Sequence, residues 1–123
     1  MITIKEYLKN RELDAPLDKE QCFNMAELLG KVNYLLGRLN ISPAVSSGYR
    51  PASVNASIGG AKKSMHILCG AVDLSDGEGK IAQLLLNNLK LLEECGLWLE
   101  DPKHTKGWVH LDIKPRKNRV FIP

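Results

Sequence analysis

Leu97-Trp98-Leu99-Glu100-Asp101 and Gly107-Trp108-Val109-His110-Leu111-Asp112-Ile113, joined by Pro102-Lys103-His104-Thr105-Lys106, decide how this chain folds. Successive side chains on a strand point to opposite faces, so a period of two sorts these residues. Leu97, Leu99, Val109, Leu111 and Ile113 fall on one side, all apolar. Trp98, Glu100, Trp108, His110 and Asp112 fall on the other. The spacing predicts a hairpin that buries the first set and presents the second together. Glu100 and His110 then share a face whatever the pairing, because a one-residue slip would turn the whole apolar set to water.

Upstream, Thr3 and Glu6 fit a capping box for a short helix over residues 3–10, with Tyr7 and Leu8 packing inward. A polar link from Asn10 to Leu17 leads to Asp18, the N-cap of a long helix from Lys19 to Leu39. Cys22, Met25, Leu28, Leu29, Val32, Leu35, Leu36 and Leu39 recur at steps of three and four and form its core stripe. Ile41 to Pro51 reads as a short strand running into a Gly/Pro turn. Residues 52–64 read as a loop with one helical turn, and Ala71-Val72-Asp73-Leu74 as a strand. A second long helix is expected from Gly79 to Glu94, burying Ile81, Leu84, Leu85, Leu89 and Leu92, with Gly96 as its stop. The basic, then apolar, tail from Lys114 to Pro123 is expected to pack along the surface.

A chain of 123 residues, 44% hydrophobic and 25% charged, reads as one domain, residues 1–123, with a core of its own. It has no apolar run long enough for a membrane span and no signal peptide at Met1-Ile2-Thr3-Ile4-Lys5-Glu6. Synthesis in the cytoplasm is the expectation, with any role outside the membrane requiring another exit route. Three scattered cysteines make neither a disulfide framework nor a cysteine zinc site, and Cys22 and Cys95 are expected as small buried hydrophobes. The net charge of +3 suits an anionic polymer such as cell wall. The basic cluster Lys114-Pro115-Arg116-Lys117-Asn118-Arg119 is short and has little aromatic interleaving, so no nucleic-acid partner is expected.

The chemistry concentrates in Ser64-Met65-His66-Ile67-Leu68-Cys69-Gly70-Ala71-Val72-Asp73 and in Trp108-Val109-His110. Two histidines and an aspartate can hold a catalytic zinc and leave one position open. Six residues between His66 and Asp73 let a loop turn back so that a strand carboxylate meets the imidazole. Together with Ser46-Ser47-Gly48-Tyr49-Arg50-Pro51, Asn55 and Gly59-Gly60, these segments resemble the zinc D-alanyl-D-alanine carboxypeptidase family. That family takes in the LAS-type murein peptidases and the phage endolysin L-alanyl-D-glutamate peptidases, and the Hedgehog signalling domain shares its fold. The resemblance runs from about Ser46 to Asp112.

The resemblance implies a small α+β domain, an antiparallel sheet carrying the site with two long helices and a short N-terminal helix packed against it. It makes His66, Asp73 and His110 the ligands of Zn2+. Arg50 would hold a substrate carboxylate or stabilise the oxyanion, with Ser64 and Trp108 as further substrate contacts. Packing remains the alternative for Trp108, and ordering the loop the alternative for Ser64. The chain departs from the family twice. Cys69 stands where the family usually has Gly, and with Gly70 adjacent the turn is expected to be built differently. Gly107 and Trp108 stand where the family carries its general base, and neither can accept a proton. Glu100, on the face of His110, is the expected substitute, with Asp101 and His104 in reserve; a solvated strand carboxylate, or one supporting a ligand histidine, is the other reading of Glu100.

The function implied is a zinc peptidase cutting the peptidoglycan stem peptide, of D-Ala-D-Ala carboxypeptidase or L-Ala-D-Glu endopeptidase type. It would act as a monomer of phage or prophage origin, released by holin-type lysis or carried in a virion. The alternative, kept open by the missing family base, is a non-hydrolytic zinc-binding module of the same fold.

Overall fold

The computed structural model describes all 123 residues as an α+β domain. Five strands form one sheet: β1 (Val45–Ser47), β2 (Ala71–Ser75), β3 (Trp98–Glu100), β4 (Trp108–Asp112) and β5 (Val120–Phe121), in the order β1-β2-β4-β3-β5. The helices are α1 (Ile4–Leu8), α2 (Lys19–Leu39), α3 (Ala52–Ser57), α4 (Lys80–Leu86) and α5 (Leu89–Cys95), with single 3-10 turns at Arg11–Leu13 and Pro102–His104.

β3 and β4 pair antiparallel, Trp98 opposite Asp112 and Leu99 opposite Leu111. Leu97, Leu99, Val109 and Leu111 are fully buried. Each such side chain contributes about 2 kcal/mol on burial, so a register slip exposing all four is heavily disfavoured. They join Leu28, Val32 and Leu35 of α2, Leu92 of α5 and Val72 and Leu74 of β2 in one core on the helix side of the sheet. β2 pairs along its length with β4, and that ladder sets Asp73 opposite His110. Both N-caps read from sequence form full capping boxes, Thr3 with Glu6 and Asp18 with Gln21.

Three local expectations are corrected. The second long helix breaks at Asn87-Asn88 into α4 and α5, because the Asn88 side-chain amide donates to the Leu84 carbonyl and the backbone leaves helical geometry there. The break resets the buried face, so Leu85 and Leu92 are inside while Leu89 is exposed. Cys22 is exposed: it lies in the first turn of α2, and the packed stripe begins at Met25. The tail does not merely lie on the surface. Val120–Phe121 adds a parallel strand to β3, with Leu99 N–H donating to Arg119 O (3.0 Å) and Asp101 N–H to Phe121 O (2.7 Å), which covers an otherwise open edge.

Candidate metal centre

His66, Asp73 and His110 meet on the sheet face opposite the helix-packed core, with one ligand atom of each within 4.8 Å of the others. Asp73 Oδ1 is the meeting point, 3.2 Å from His66 Nε2 and 2.9 Å from His110 Nδ1. Two of the three come from neighbouring strands, so the β2–β4 register alone brings Asp73 and His110 together. His66 arrives on a turn that the rest of the chain ties down. Its carbonyl accepts from Arg50 N–H (3.1 Å), Gly70 N–H bonds Met65 O (2.9 Å), and α2 contributes Gln21 and Asn24 side-chain amides to the carbonyls of Ile67 and Leu68.

The outer nitrogen of each ring has its own acceptor. His66 Nδ1 faces Gly48 O at 2.8 Å, and His110 Nε2 faces Asp112 Oδ2 at 2.8 Å. Carbonyl and carboxylate oxygens only accept, so both outer nitrogens carry hydrogen. A neutral ring then turns its remaining lone pair toward Asp73 Oδ1, lone pair against lone pair. The arrangement is satisfied only when a cation, a proton or a metal ion, sits among the three inner atoms. In the metal-free protein that need shows in His110, pushed up to about 9: burial opposes its charge, but the hydrogen bonds to Asp112 and Asp73 outweigh burial. Burial likewise works to raise Asp73, yet hydrogen bonds with His110 and His66 hold its carboxyl far below the ordinary range. Two imidazoles and a carboxylate, each imidazole oriented through its outer N–H, form a donor set that suits zinc. Ligand atoms around a tetrahedral zinc stand a little over ~3 Å apart, and the two spacings to Asp73 Oδ1, 3.2 and 2.9 Å, are close to that.

Arg50 lies against this cluster. Its guanidinium donates to Asp73 Oδ2 (3.1 Å), Asn55 Oδ1 (3.1 Å) and Ser47 Oγ (2.9 Å). Asn55, in α3, donates in turn to Ala61 O (2.7 Å) and so ties Arg50 to the loop before His66. Ser64 Oγ accepts from His66 N–H (3.2 Å), and Ser64 also lines a cleft of about 350 Å³ whose wall includes Glu100, His110, Asp112, Arg116 and Phe121. Glu100 makes no side-chain hydrogen bond there, and its carboxyl is raised, by burial first and then by the charge of Asp73, against the pull of His110.

Other expected residues lie elsewhere. Trp108 is half-buried opposite Ser75 and does not line the cleft. Asp101 caps the 3-10 turn by accepting from Lys103 N–H, and His104 is exposed. The turn at Cys69 is not rebuilt around Gly70 as expected. Cys69 itself takes the left-handed conformation, φ +60°, which a glycine adopts without strain. Its thiol is fully buried, is pushed up to about 12 by burial, and stands outside the metal cluster.

Sequence reasoning missed two supports, Asp112 and the Gly48 carbonyl. For Asp112 the sequence shows only its place, two after His110 on the polar face; that its carboxylate is fully buried and needs partners is known from the structure. Gly48 was not legible, because a backbone carbonyl leaves no sequence signal. Its glycine has a second cause: a Cβ at position 48 would collide with the backbone and ring of Tyr7 in α1.

Neither curated proteins nor solved structures give a significant match to the chain. A family model described as Peptidase M15 matches residues 4–112, a span holding β1 to β4, the three converging residues, Arg50 and Glu100. A match over that much of the chain, agreeing with a cluster fit for a metal ion, makes this protein a member of the peptidase M15 family of metallopeptidases.

Proposed function

We propose that the protein is a zinc-dependent peptidase that hydrolyses a peptide bond in the bacterial peptidoglycan stem, of the D-Ala-D-Ala carboxypeptidase or L-Ala-D-Glu endopeptidase type. The observation that carries this is the pair of imidazoles, each held through its outer N–H and each aiming its inner nitrogen at one oxygen of Asp73. His66, Asp73 and His110 would hold the zinc. The ion, when bound, supplies Lewis acidity that acidifies water and polarises the scissile carbonyl.

The remaining work falls to the chain. Glu100, raised and free of hydrogen-bond partners in the cleft, takes the proton from the attacking water and returns it to the leaving amine. Arg50 spends three of its five N–H bonds on Asp73, Asn55 and Ser47, which leaves two for a substrate carboxylate or the developing oxyanion. Ser64 offers a hydroxyl at the cleft wall. We place the enzyme with phage or prophage lysis functions, acting as a monomer on the wall after release from the cytoplasm. No helix is long and apolar enough to cross a membrane.

Zinc-loaded wild type and Glu100→Gln, incubated with muropeptides and followed by mass spectrometry, test this reading. Wild type is expected to release a stem-peptide fragment, and Glu100→Gln to bind zinc equally well but turn over about 10²–10⁴-fold more slowly. A fully loaded wild type that cleaves nothing, indistinguishable from Glu100→Gln, would make the protein a zinc-binding module of the same fold.

A further inference from the structure

The family match ends at Asp112, leaving residues 113–123 outside it. Those residues nevertheless close on the metal centre. Asp112, fully buried, accepts four hydrogen bonds: Oδ1 from Lys114 N–H (3.1 Å) and Arg116 Nη1 (2.6 Å), Oδ2 from His110 Nε2 (2.8 Å) and Arg116 Nη2 (3.1 Å). The Arg116 guanidinium lies 3.4 Å from the centroid of the Phe121 ring, and that ring stands edge-on to His110 at 5.9 Å. Arg116, Phe121 and His110 are thus consecutive members of one packed stack, with Asp112 hydrogen-bonded across it.

We propose that Arg116 is a positioning residue for His110, acting through Asp112, so that the C-terminal segment completes the metal centre. The inference rests on the reading that His66, Asp73 and His110 hold zinc. Without Arg116 each oxygen of the Asp112 carboxylate would keep a single hydrogen bond, Oδ1 to Lys114 N–H and Oδ2 to His110. A two-pronged guanidinium fixes its plane and keeps Oδ2 aimed at Nε2. The Phe121 face keeps the guanidinium flat and at the same time bounds the imidazole. Arg119 provides the contrast within the same tail. It donates to Leu97 O (2.9 Å) and stacks on Trp98 at 4.2 Å, docking the segment without touching His110 or Asp112.

The test compares wild type, Arg116→Ala, Arg116→Lys and Arg119→Ala in the full chain, measuring zinc affinity by chelator competition and the visible spectrum of the Co2+-loaded protein. Arg116→Ala is expected to weaken zinc binding about 10- to 100-fold and to shift the Co2+ bands. Arg116→Lys, which keeps the charge and loses the fork, should show a smaller loss in the same direction, and it carries the test if Arg116→Ala fails to fold. Arg119→Ala should leave both readouts at wild-type values. Wild-type affinity and spectrum in both Arg116 variants would overturn the proposal, as would an equal loss in Arg119→Ala, which would trace the effect to tail docking. A wild type that binds no zinc would instead remove the metal-site reading on which it stands.

Discussion

The candidate metal centre has two halves built on different principles. Asp73, His110 and Asp112 sit on paired strands, and their spacing is a consequence of register: Asp73 is opposite His110, and Asp112 is two positions along the same face. Arg50 and His66 sit on connecting segments whose positions are borrowed from hydrogen bonds to Gly48, Asn55, Gln21 and Asn24. The strand half is held by burial of the opposite face, a term of many kcal/mol spread over several side chains. The loop half is held by single contacts worth about 1 kcal/mol each. The strand half therefore keeps its spacing under distant change, whereas the loop half depends on each single contact that holds its segments.

Asp73 belongs to both halves, so removing it should have the largest effect. Asp73→Ala is expected to lose zinc by more than the ~10–100-fold that outer partners of metal ligands produce, read by chelator competition. Affinity near wild type would break the picture of a shared centre. The loop half is tested next at a distance. Gly48→Ala forces a methyl onto the Tyr7 backbone and is expected to destabilise the fold by about 1–3 kcal/mol while weakening zinc binding through the displaced carbonyl that orients His66. Ser75→Ala, at the exposed end of β2, should change stability by less than about 0.5 kcal/mol and leave zinc binding alone.

A pH series sharpens the strand half. His110 rises from its ordinary 6.5 to about 9 in the metal-free fold, so its contribution to stability is fully present below pH 6.5 and lost as pH climbs through 9. Asp73 is shifted the other way, so its contribution is present above its ordinary 3.8 and lost in acid. The metal-free protein should melt highest between about pH 4 and 6.5 and lose Tm toward pH 9. Zinc takes the neutral imidazole, so the Tm gained on adding zinc should grow over that upper interval. A metal-free Tm flat from pH 6.5 to 9 would sever His110 from its two carboxylates.

The remaining test is local to the turn at Cys69. Cys69→Gly relieves a left-handed residue of about 1 kcal/mol of strain and removes a buried side chain of similar worth, so thermal unfolding should shift little. Cys69→Val, β-branched at a positive φ, should cost about 1–3 kcal/mol. A Val variant as stable as wild type would mean that the turn holding His66 rearranges freely.

Legibility followed the same division. The alternation in Leu97–Ile113 sorted Glu100, His110 and Asp112 onto one face, and the structure keeps them there, because period two is a property of the backbone. The stripe in α2 and its Asp18 cap were readable for the same reason. The break at Asn87-Asn88 was not, since an apolar periodicity runs through both α4 and α5 and the deciding hydrogen bond is a side-chain choice. Trp108 shows the limit of face arguments: it shares the face of His110 yet lies beyond the cleft, because a face says nothing about position along the strand.

Local physics in the sequence therefore determined which residues are strand and helix, which faces are buried, and that a histidine and two carboxylates are presented together. Tertiary structure alone decided that His66 reaches Asp73, that Gly48 and Asp112 take the outer ring nitrogens, and that the tail closes on the centre through Arg116. The reason is physical. Periodicity and capping follow the regular geometry of strands and helices, whereas these contacts depend on how loops and the tail turn back in space or on a backbone atom that every amino acid carries.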